Sequence, residues 1–344
     1  MAPKIFITGG TGYVGGSVLD AIVEAHPEYE VTALLRKIPD DFSSRYPGVK
    51  IVQGDYDSAD ILSQAASEAE VVVHNGDSDH EPAINALICG LLERPTPGFL
   101  IHLSGTGIVS DYHSKTYLGK QNPKIWSDID DYASISSLPD NAPHRNTEKI
   151  LNAAIAEHGD KINIAIMCPP DIYGRGRGLG KSVSAYVPIF LKEVKELGRV
   201  FYYGEGTNTR SYVHIDDLLE LYLKVVEAAV AGGEGAEWGS NGYYFASTQE
   251  HNQICVSTIV GRILRKYGVV GNEEPVEVTL QQLDAMFQIP KYPGLSRYLF
   301  GANSRTRADR AKKLFGYQAK APGLMETLGS DIKDVLCMEE MRSF

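Results

Sequence analysis

His144 and Glu148 stand four residues apart in the stretch His144-Arg145-Asn146-Thr147-Glu148. On a helix that spacing puts both side chains on one face. An imidazole exchanges protons near neutrality, so His144 can serve as a general acid or base. Glu148 can raise the histidine's pKa or accept a hydrogen bond from a sugar hydroxyl. The same two residues also read as an exposed first-turn histidine and a glutamate favoured near a helix N-terminus. Upstream, Leu103-Ser104-Gly105-Thr106-Gly107 closes an apolar run. Ser104 and Thr106 are both candidates to hold a substrate oxygen at a strand end, and a plain turn with two hydroxyls is the other reading.

A second constellation opens the chain. Thr8-Gly9-Gly10-Thr11-Gly12-Tyr13-Val14-Gly15 follows the apolar run Lys4–Thr8 directly. Gly9 permits a tight turn out of a strand, Gly12 lets backbone approach a pyrophosphate, and Gly15 lets the next helix pack close. Thr11, Tyr13 and Val14 border the unpaired N–H groups of that helix start, where the dipole favours phosphate. The turn therefore reads as a dinucleotide site. The second apolar run ends at Leu35-Arg36-Lys37. Arg36 and Lys37 cannot accept a bond from a ribose 2′-hydroxyl, but they can hold a 2′-phosphate, which favours NADP(H) over NAD(H). After the third run, Asp55 with Tyr56 is placed to approach the adenine amine, or Asp55 is a turn residue. After the fourth come His74, Asn75, Gly76, Asp77, Ser78, Asp79 and His80. Of these, His74 and Asn75 are candidates toward the cofactor and Asp77 toward a substrate. The mixed close spacing of two His and two Asp is no recognised metal site, so a hydrogen-bonded loop is expected.

The elements that must position these groups are legible from the pattern. Short apolar runs at Lys4–Thr8, Glu30–Leu35, Val49–Gln53, Val71–His74, Phe99–Leu103 and Ile162–Met167 alternate with helical stretches. Near-continuous apolar strands separated by helices imply a parallel sheet covered on both faces, with its ligand beyond the strands' carboxyl ends. The expected fold is α/β: a doubly wound parallel sheet of about seven strands with a smaller, mostly helical C-terminal lobe. Pro169 and Pro170 break the pattern, and Gly174, Gly176, Gly178 and Gly180 read as a flexible loop before a helix over Ser182–Leu197. Residues Ala228–Glu237 read as a helix end and surface loop, and Pro290–Gly301 as a loop.

With these residues in hand, the chain resembles the extended short-chain dehydrogenase/reductase family, which holds nucleotide-sugar epimerases and dehydratases, and also its atypical NmrA-like branch. The N-terminal turn matches, and Asn85 falls where an asparagine often opens the fourth helix. Pro169-Pro170-Asp171-Ile172-Tyr173-Gly174 resembles the family's Pro-x-x-x-Tyr-Gly segment, which implies Pro169 and Ile172 near the cofactor. Gly204 to Asp217 resembles its Gly-x-Gly…Arg…Val-His-Val-Asp-Asp segment, and Asn303–Tyr317 its closing helix. Arg210 lies where epimerase relatives bind a substrate phosphate; a surface arginine is the alternative. Asp216 and Asp217 read as a helix N-cap. Tyr173 and Tyr186 line a substrate cleft or pack a core. The departure concerns chemistry. The family's catalytic Tyr-x-x-x-Lys is replaced by His144 and Glu148, on a helix expected to start near Asp140-Asn141-Ala142-Pro143. Lys149 is one residue out of register, and the chain's one Tyr-x-x-x-Lys, Tyr46 to Lys50, precedes the third strand.

The resemblance implies a cofactor-binding Rossmann domain over 1–174 plus about 207–248, and a substrate lobe over about 175–206 plus 249–344. It implies an NADP(H)-binding enzyme acting on a small organic molecule, by carbonyl or imine reduction or by non-redox isomerisation or cyclisation. A catalytically silent NADP(H)-sensing regulatory protein is the alternative from another class, and a nucleotide-sugar epimerase or dehydratase the third reading. A homodimer is a possible assembly. The 344 residues suffice for a large core, and a net charge of -11 without a basic run argues against nucleic acid. Four separated cysteines suggest a reduced compartment, no apolar run is long enough for a bilayer, and the first strand leaves no space for a leader, so a cytoplasmic protein is expected.

Overall fold

The apolar runs pair as a single parallel sheet. The computed structural model describes residues 2–289 and 293–342. Its main sheet has seven strands: β1 (Lys4–Thr8), β2 (Glu30–Leu35), β3 (Lys50–Gln53), β4 (Val71–His74), β5 (Gly98–Leu103), β6 (Ile162–Cys168) and β7 (Tyr243–Phe245). The spatial order is β3-β2-β1-β4-β5-β6-β7, and every pairing is parallel. Successive side chains of a strand point to opposite faces. In β1, Ile5, Phe6 and Ile7 are all buried, so both faces of the sheet are covered. Helices α1 (Tyr13–Ala25), α2 (Ala59–Glu68), α3 (Glu81–Leu92), α4 (Arg145–His158), α5 (Tyr186–Leu197) and α6 (Ile215–Val230) follow in order.

Register decides which loops meet. Thr8 pairs with His74, His74 with His102, and Leu103 with Met167. The carboxyl ends of β1, β4, β5 and β6 therefore lie in one row. That row brings the Gly9–Gly15 turn, the Asn75–His80 loop and the Ser104–Gly107 turn to one edge of the sheet, where a doubly wound fold binds ligands.

A second core gathers Tyr173, Val187, Phe190, Phe201, Phe300 and Ile332, with aromatic rings of Phe190, Phe201 and Phe300 about each other at 5.0 to 5.7 Å. The helices α7 (Gln253–Lys266), α8 (Leu295–Phe300) and α9 (Leu324–Arg342) belong to this half. Ala308, Ala311 and Tyr317 instead pack into the first core.

Several local expectations shift. The helix expected from Ser182 begins at Tyr186. The expected loop 290–301 contains α8, and residues 290–292 lie outside the described residues. Asn85 is an exposed residue inside α3, which opens at Glu81 with His80 as its cap. Helix α6 is capped by His214, whose Nδ1 accepts the Asp216 N–H, so the two aspartates sit in the first turn. Helix α4 starts at Arg145 because His144, at φ +64°, has left the right-handed path. Among the described residues no helix is long and apolar enough to cross a membrane.

Candidate active site

The glycine turn is held by close backbone approach. Gly12 N–H donates to the Gly9 carbonyl at 2.8 Å. Gly9 has φ +75°, and a side chain on it would overlap the Asn75 carbonyl; one on Gly15 would overlap the Gly9 carbonyl. Helix α1 then begins with no side-chain cap and no acidic residue in its first turn. Its leading N–H groups are left for an anion. Asn75 is 5% exposed beside Gly15, accepts the Tyr222 hydroxyl at 2.8 Å, and leaves its Nδ2 without a partner. A buried amide donor without an acceptor is costly unless a ligand supplies one. The turn therefore has the shape and the unspent donors for a dinucleotide diphosphate.

Around it, Arg36 and Lys37 are exposed at the end of β2. Asp55 is engaged in its own turn, with Oδ1 accepting the Ser58 hydroxyl at 2.9 Å and the Asp57 N–H at 3.1 Å. Tyr56 lies against Gly76 and edge-on to His74, ring centres 5.9 Å apart. Tyr13 uses its hydroxyl on the Gly174 carbonyl at 2.7 Å. Val14 packs against the first core. The Thr11 carbonyl accepts the Lys181 N–H, and the Pro169 carbonyl that of Thr106. Ile172 is half-buried against the first core.

The second half of the site centres on His144. Its Nδ1 meets Asp79 Oδ1 at 2.9 Å and the Ser78 hydroxyl at 3.2 Å. Its other nitrogen faces the turn after β5: a Cβ on Gly105 would stand 3.0 Å from Nε2, and one on Gly107 at 3.4 Å from it and 3.2 Å from the Tyr298 hydroxyl. Burial alone would lower the histidine's pKa. The hydrogen bond and charge of Asp79, with smaller contributions from Glu148 and Asp77, outweigh that and raise it above 6.5. His144 is the sole positive-φ residue other than glycine among the described residues. Such backbone costs of order 1–3 kcal/mol and persists where surrounding contacts hold it. Here Thr147 helps, its hydroxyl donating to the Ser78 carbonyl at 2.7 Å, and Asn146 binds the Asp79 carbonyl at 3.0 Å. The loop after β4 and the start of α4 are thus laced together around the imidazole.

Glu148 points inward from the first turn of α4. Its Oε1 accepts the Ser104 hydroxyl at 2.6 Å and the Tyr243 hydroxyl at 3.1 Å, and Tyr243 lies 3.2 Å from the Cys168 sulfur. Burial raises the pKa of Glu148, and Ser104, His144 and Tyr243 offset this only in part. Ser104 is therefore turned to the glutamate. Thr106 is buried at 2% exposure, with its carbonyl accepting the Ser304 hydroxyl. Lys149 pairs with Asp140 at 2.8 Å on the surface.

Several candidates stand elsewhere. His74 is fully buried within the sheet, its Nδ1 bonded to the Thr8 hydroxyl at 2.7 Å, its ring stacked on His102 at 5.4 Å and its Nε2 without a partner. Arg210 is 2% exposed: it forks onto Asp171 at 2.5 and 2.9 Å, donates to the Tyr298 carbonyl at 2.6 Å, and lies 4.4 Å over that ring. A substrate phosphate would have to displace Asp171. Tyr173 is core, with its hydroxyl on the Pro322 carbonyl, and Tyr186 stacks on Phe190 and bonds Gln253. Asp77 is exposed and accepts the Asp79 N–H at 3.1 Å, shaping the loop that presents Asp79. Asp79 and Ser78 were not anticipated as the partners of His144, and the polar run after β4 was the available signal for both.

A parallel sheet in the order 3-2-1-4-5-6-7, with its glycine turn and loops at the carboxyl edge, defines the class: a Rossmann-type α/β protein. The NmrA-like family model matches residues 1–87, and the NAD dependent epimerase/dehydratase family model residues 139–238. Over these two segments the chain is similar to the epimerase/dehydratase and NmrA-like families. It is 28% identical to the oxidase ucsJ of an Acremonium species over 340 residues, 95% of this chain and 96% of that one. It is 23% identical over 230 residues to a dTDP-glucose 4,6-dehydratase of Mycobacterium tuberculosis, 62% of this chain and 66% of that one. The crystal structure of dTDP-glucose 4,6-dehydratase from Bacillus anthracis in complex with NAD has the same fold, with a TM-score of 0.66 at 15% identity over 98% of each chain.

Proposed function

We propose that this protein is an NADP(H)-dependent enzyme acting on a small organic carbonyl or imine, with His144 as its proton donor and acceptor. The observation that carries the reading is the His144–Asp79 pair, with Nε2 standing over the Gly105–Gly107 turn at the carboxyl edge of the sheet. The Gly9–Gly15 turn, the α1 N-terminus and Asn75 hold the diphosphate, and Arg36 with Lys37 selects a 2′-phosphate. When bound, the nicotinamide supplies or accepts hydride. Asp79 fixes the imidazole through Nδ1 and favours its protonated form, so that Nε2 can give a proton to a substrate oxygen or nitrogen and take it back. Glu148 takes the lysine's place in the chain but is spent on Ser104 and Tyr243, so it braces β5 against α4. The same pocket and histidine serve a non-redox isomerisation or cyclisation equally well in proton terms. The nucleotide-sugar reading is supported by the relatives, and the commitment of Arg210 to Asp171 counts against it.

Calorimetric titration with NADPH, NADP+, NADH and NAD+ tests the cofactor. Micromolar NADPH binding that Arg36→Asp abolishes is expected, and no binding of any of the four contradicts the reading. A carbonyl and imine screen with NADPH then tests the chemistry. Turnover by the wild type and none by His144→Ala dismisses the silent sensor, and equal turnover by both removes His144 from its role.

A further inference from the structure

The glycine run after β6 is docked. Its residues 174–182 lie across the start of α1. Gly176 N–H donates to the Ser182 carbonyl at 2.8 Å, which closes the run on itself. Arg177 N–H donates to the Ser17 hydroxyl at 3.0 Å, and Lys181 N–H to the Thr11 carbonyl at 3.1 Å. At the base, Gly174 N–H donates to Asp331 Oδ2 at 3.0 Å. Every second residue faces α1. A Cβ on Gly176 would come 2.9 Å from the Tyr13 ring, and one on Gly178 within 2.7 Å of the Gly16 backbone. One on Gly180 would overlap the Thr11 carbonyl. Three glycines at alternate positions are what lets one backbone lie directly on another.

This strap carries three cations. Arg175 faces Asp334 at 3.5 Å, and Arg177 takes Asp216 at 2.6 Å and Glu24 at 3.5 Å. Lys181 is exposed and has no carboxylate partner among the described residues. Its backbone is pinned to Thr11, the residue before the α1 cap, so the lysine is anchored beside the start of that helix. The unpartnered Nδ2 of Asn75 lies beside the same turn, within the sheet.

Resting on the cofactor reading above, we propose that residues 174–182 form the second wall of the diphosphate subsite, and that Lys181 is the cation that neutralises a diphosphate bound on the α1 N-terminus. A nucleotide sugar carries the same diphosphate chemistry, and the test separates the two sources.

Titrate wild type, Lys181→Ala, Lys181→Arg and the remote control Lys192→Ala with NADPH, ADP-ribose and UDP-glucose, at low and high salt. Lys181→Ala should weaken NADPH and ADP-ribose alike, on the order of tenfold, the value of one charge-assisted hydrogen bond. It should also flatten their salt dependence, while Lys181→Arg keeps most of the affinity and Lys192→Ala all of it. Unchanged affinity and salt slope in Lys181→Ala, with the wild type binding NADPH, overturns the assignment and leaves the cofactor reading standing. A loss confined to UDP-glucose overturns it as well, by moving the lysine to a substrate diphosphate. A wild type that binds neither NADPH nor ADP-ribose overturns the cofactor reading itself.

Discussion

Two groups of imidazoles are pushed in opposite directions by their surroundings. His74 and His102 stack inside the sheet between β4 and β5, both fully buried. Burial lowers His74 to about 4 and His102 well below the ordinary value, each of them also disfavoured by a neighbouring histidine charge. His144, with 22% of its side chain exposed at the carboxyl edge, feels the same pull and is raised instead. The difference is Asp79. Depth sets the cost of a charge, and a carboxylate at hydrogen-bond distance decides whether the charge is kept. The buried pair is thus pushed toward the neutral form, and His144 toward the charged one.

The largest effect should come from removing the carboxylate. Asp79→Ala leaves His144 Nδ1 with Ser78 alone and should cost roughly 1–3 kcal/mol at pH 6, as for a lost hydrogen bond to a charged group. The sign with pH follows from linkage. A folded pKa above the unfolded value stabilises fully below about pH 6.5, and the benefit is lost as pH rises through the raised value. The cost of Asp79→Ala should therefore be smaller at pH 9 than at pH 6 in urea melts, and a pH-independent cost would mean that the pair is not charged.

The buried pair sharpens the comparison from the other side. Folded pKa values below the unfolded value stabilise above about pH 6.5, and that stability is lost as pH falls toward the folded value. His102→Leu removes one such group, whose two ring nitrogens have no partner. Stability at pH 7 should change by about 1 kcal/mol or less, and the decline in stability between neutrality and pH 4 should become shallower than in the wild type. An unchanged acid limb would place the acid sensitivity elsewhere.

Glu148→Gln should have the smallest effect. The amide oxygen still accepts from Ser104 and Tyr243, and Glu148 ranks behind Asp79 in raising His144. A stability change within about 1 kcal/mol is expected, with a downward shift of the His144 titration smaller than that in Asp79→Ala. A larger shift than in Asp79→Ala would make Glu148 the true partner.

What could be read from the sequence follows the range of each constraint. The glycine turn and the parallel strands were legible because close approach and apolar runs are local requirements; the six predicted runs match six strands to within a residue at either end. His144 and Glu148 were legible as candidates from their place in the chain, but not as a pair on one helix face, because His144 stands outside α4 and meets Asp79 while Glu148 turns to Ser104 and Tyr243. Asp79 was not legible, because it meets His144 only through the register of β4 and β5 and the start of α4. That start was misplaced because nothing local announces a histidine at φ +64°. Arg210 carried the right motif, yet its guanidinium is taken by Asp171, a contact across strands. The glycines of 174–180 read as flexibility, and packing against α1 turns the same small residues into a docking surface.

The most direct test of His144 as a poised acid is an NMR titration of its ring, assigned by comparison with His144→Ala, in wild type and Asp79→Asn. A wild-type midpoint above about 6.5 that falls below that value in Asp79→Asn is the predicted result. A wild-type midpoint below it, or one that the Asp79 substitution leaves in place, would contradict the account.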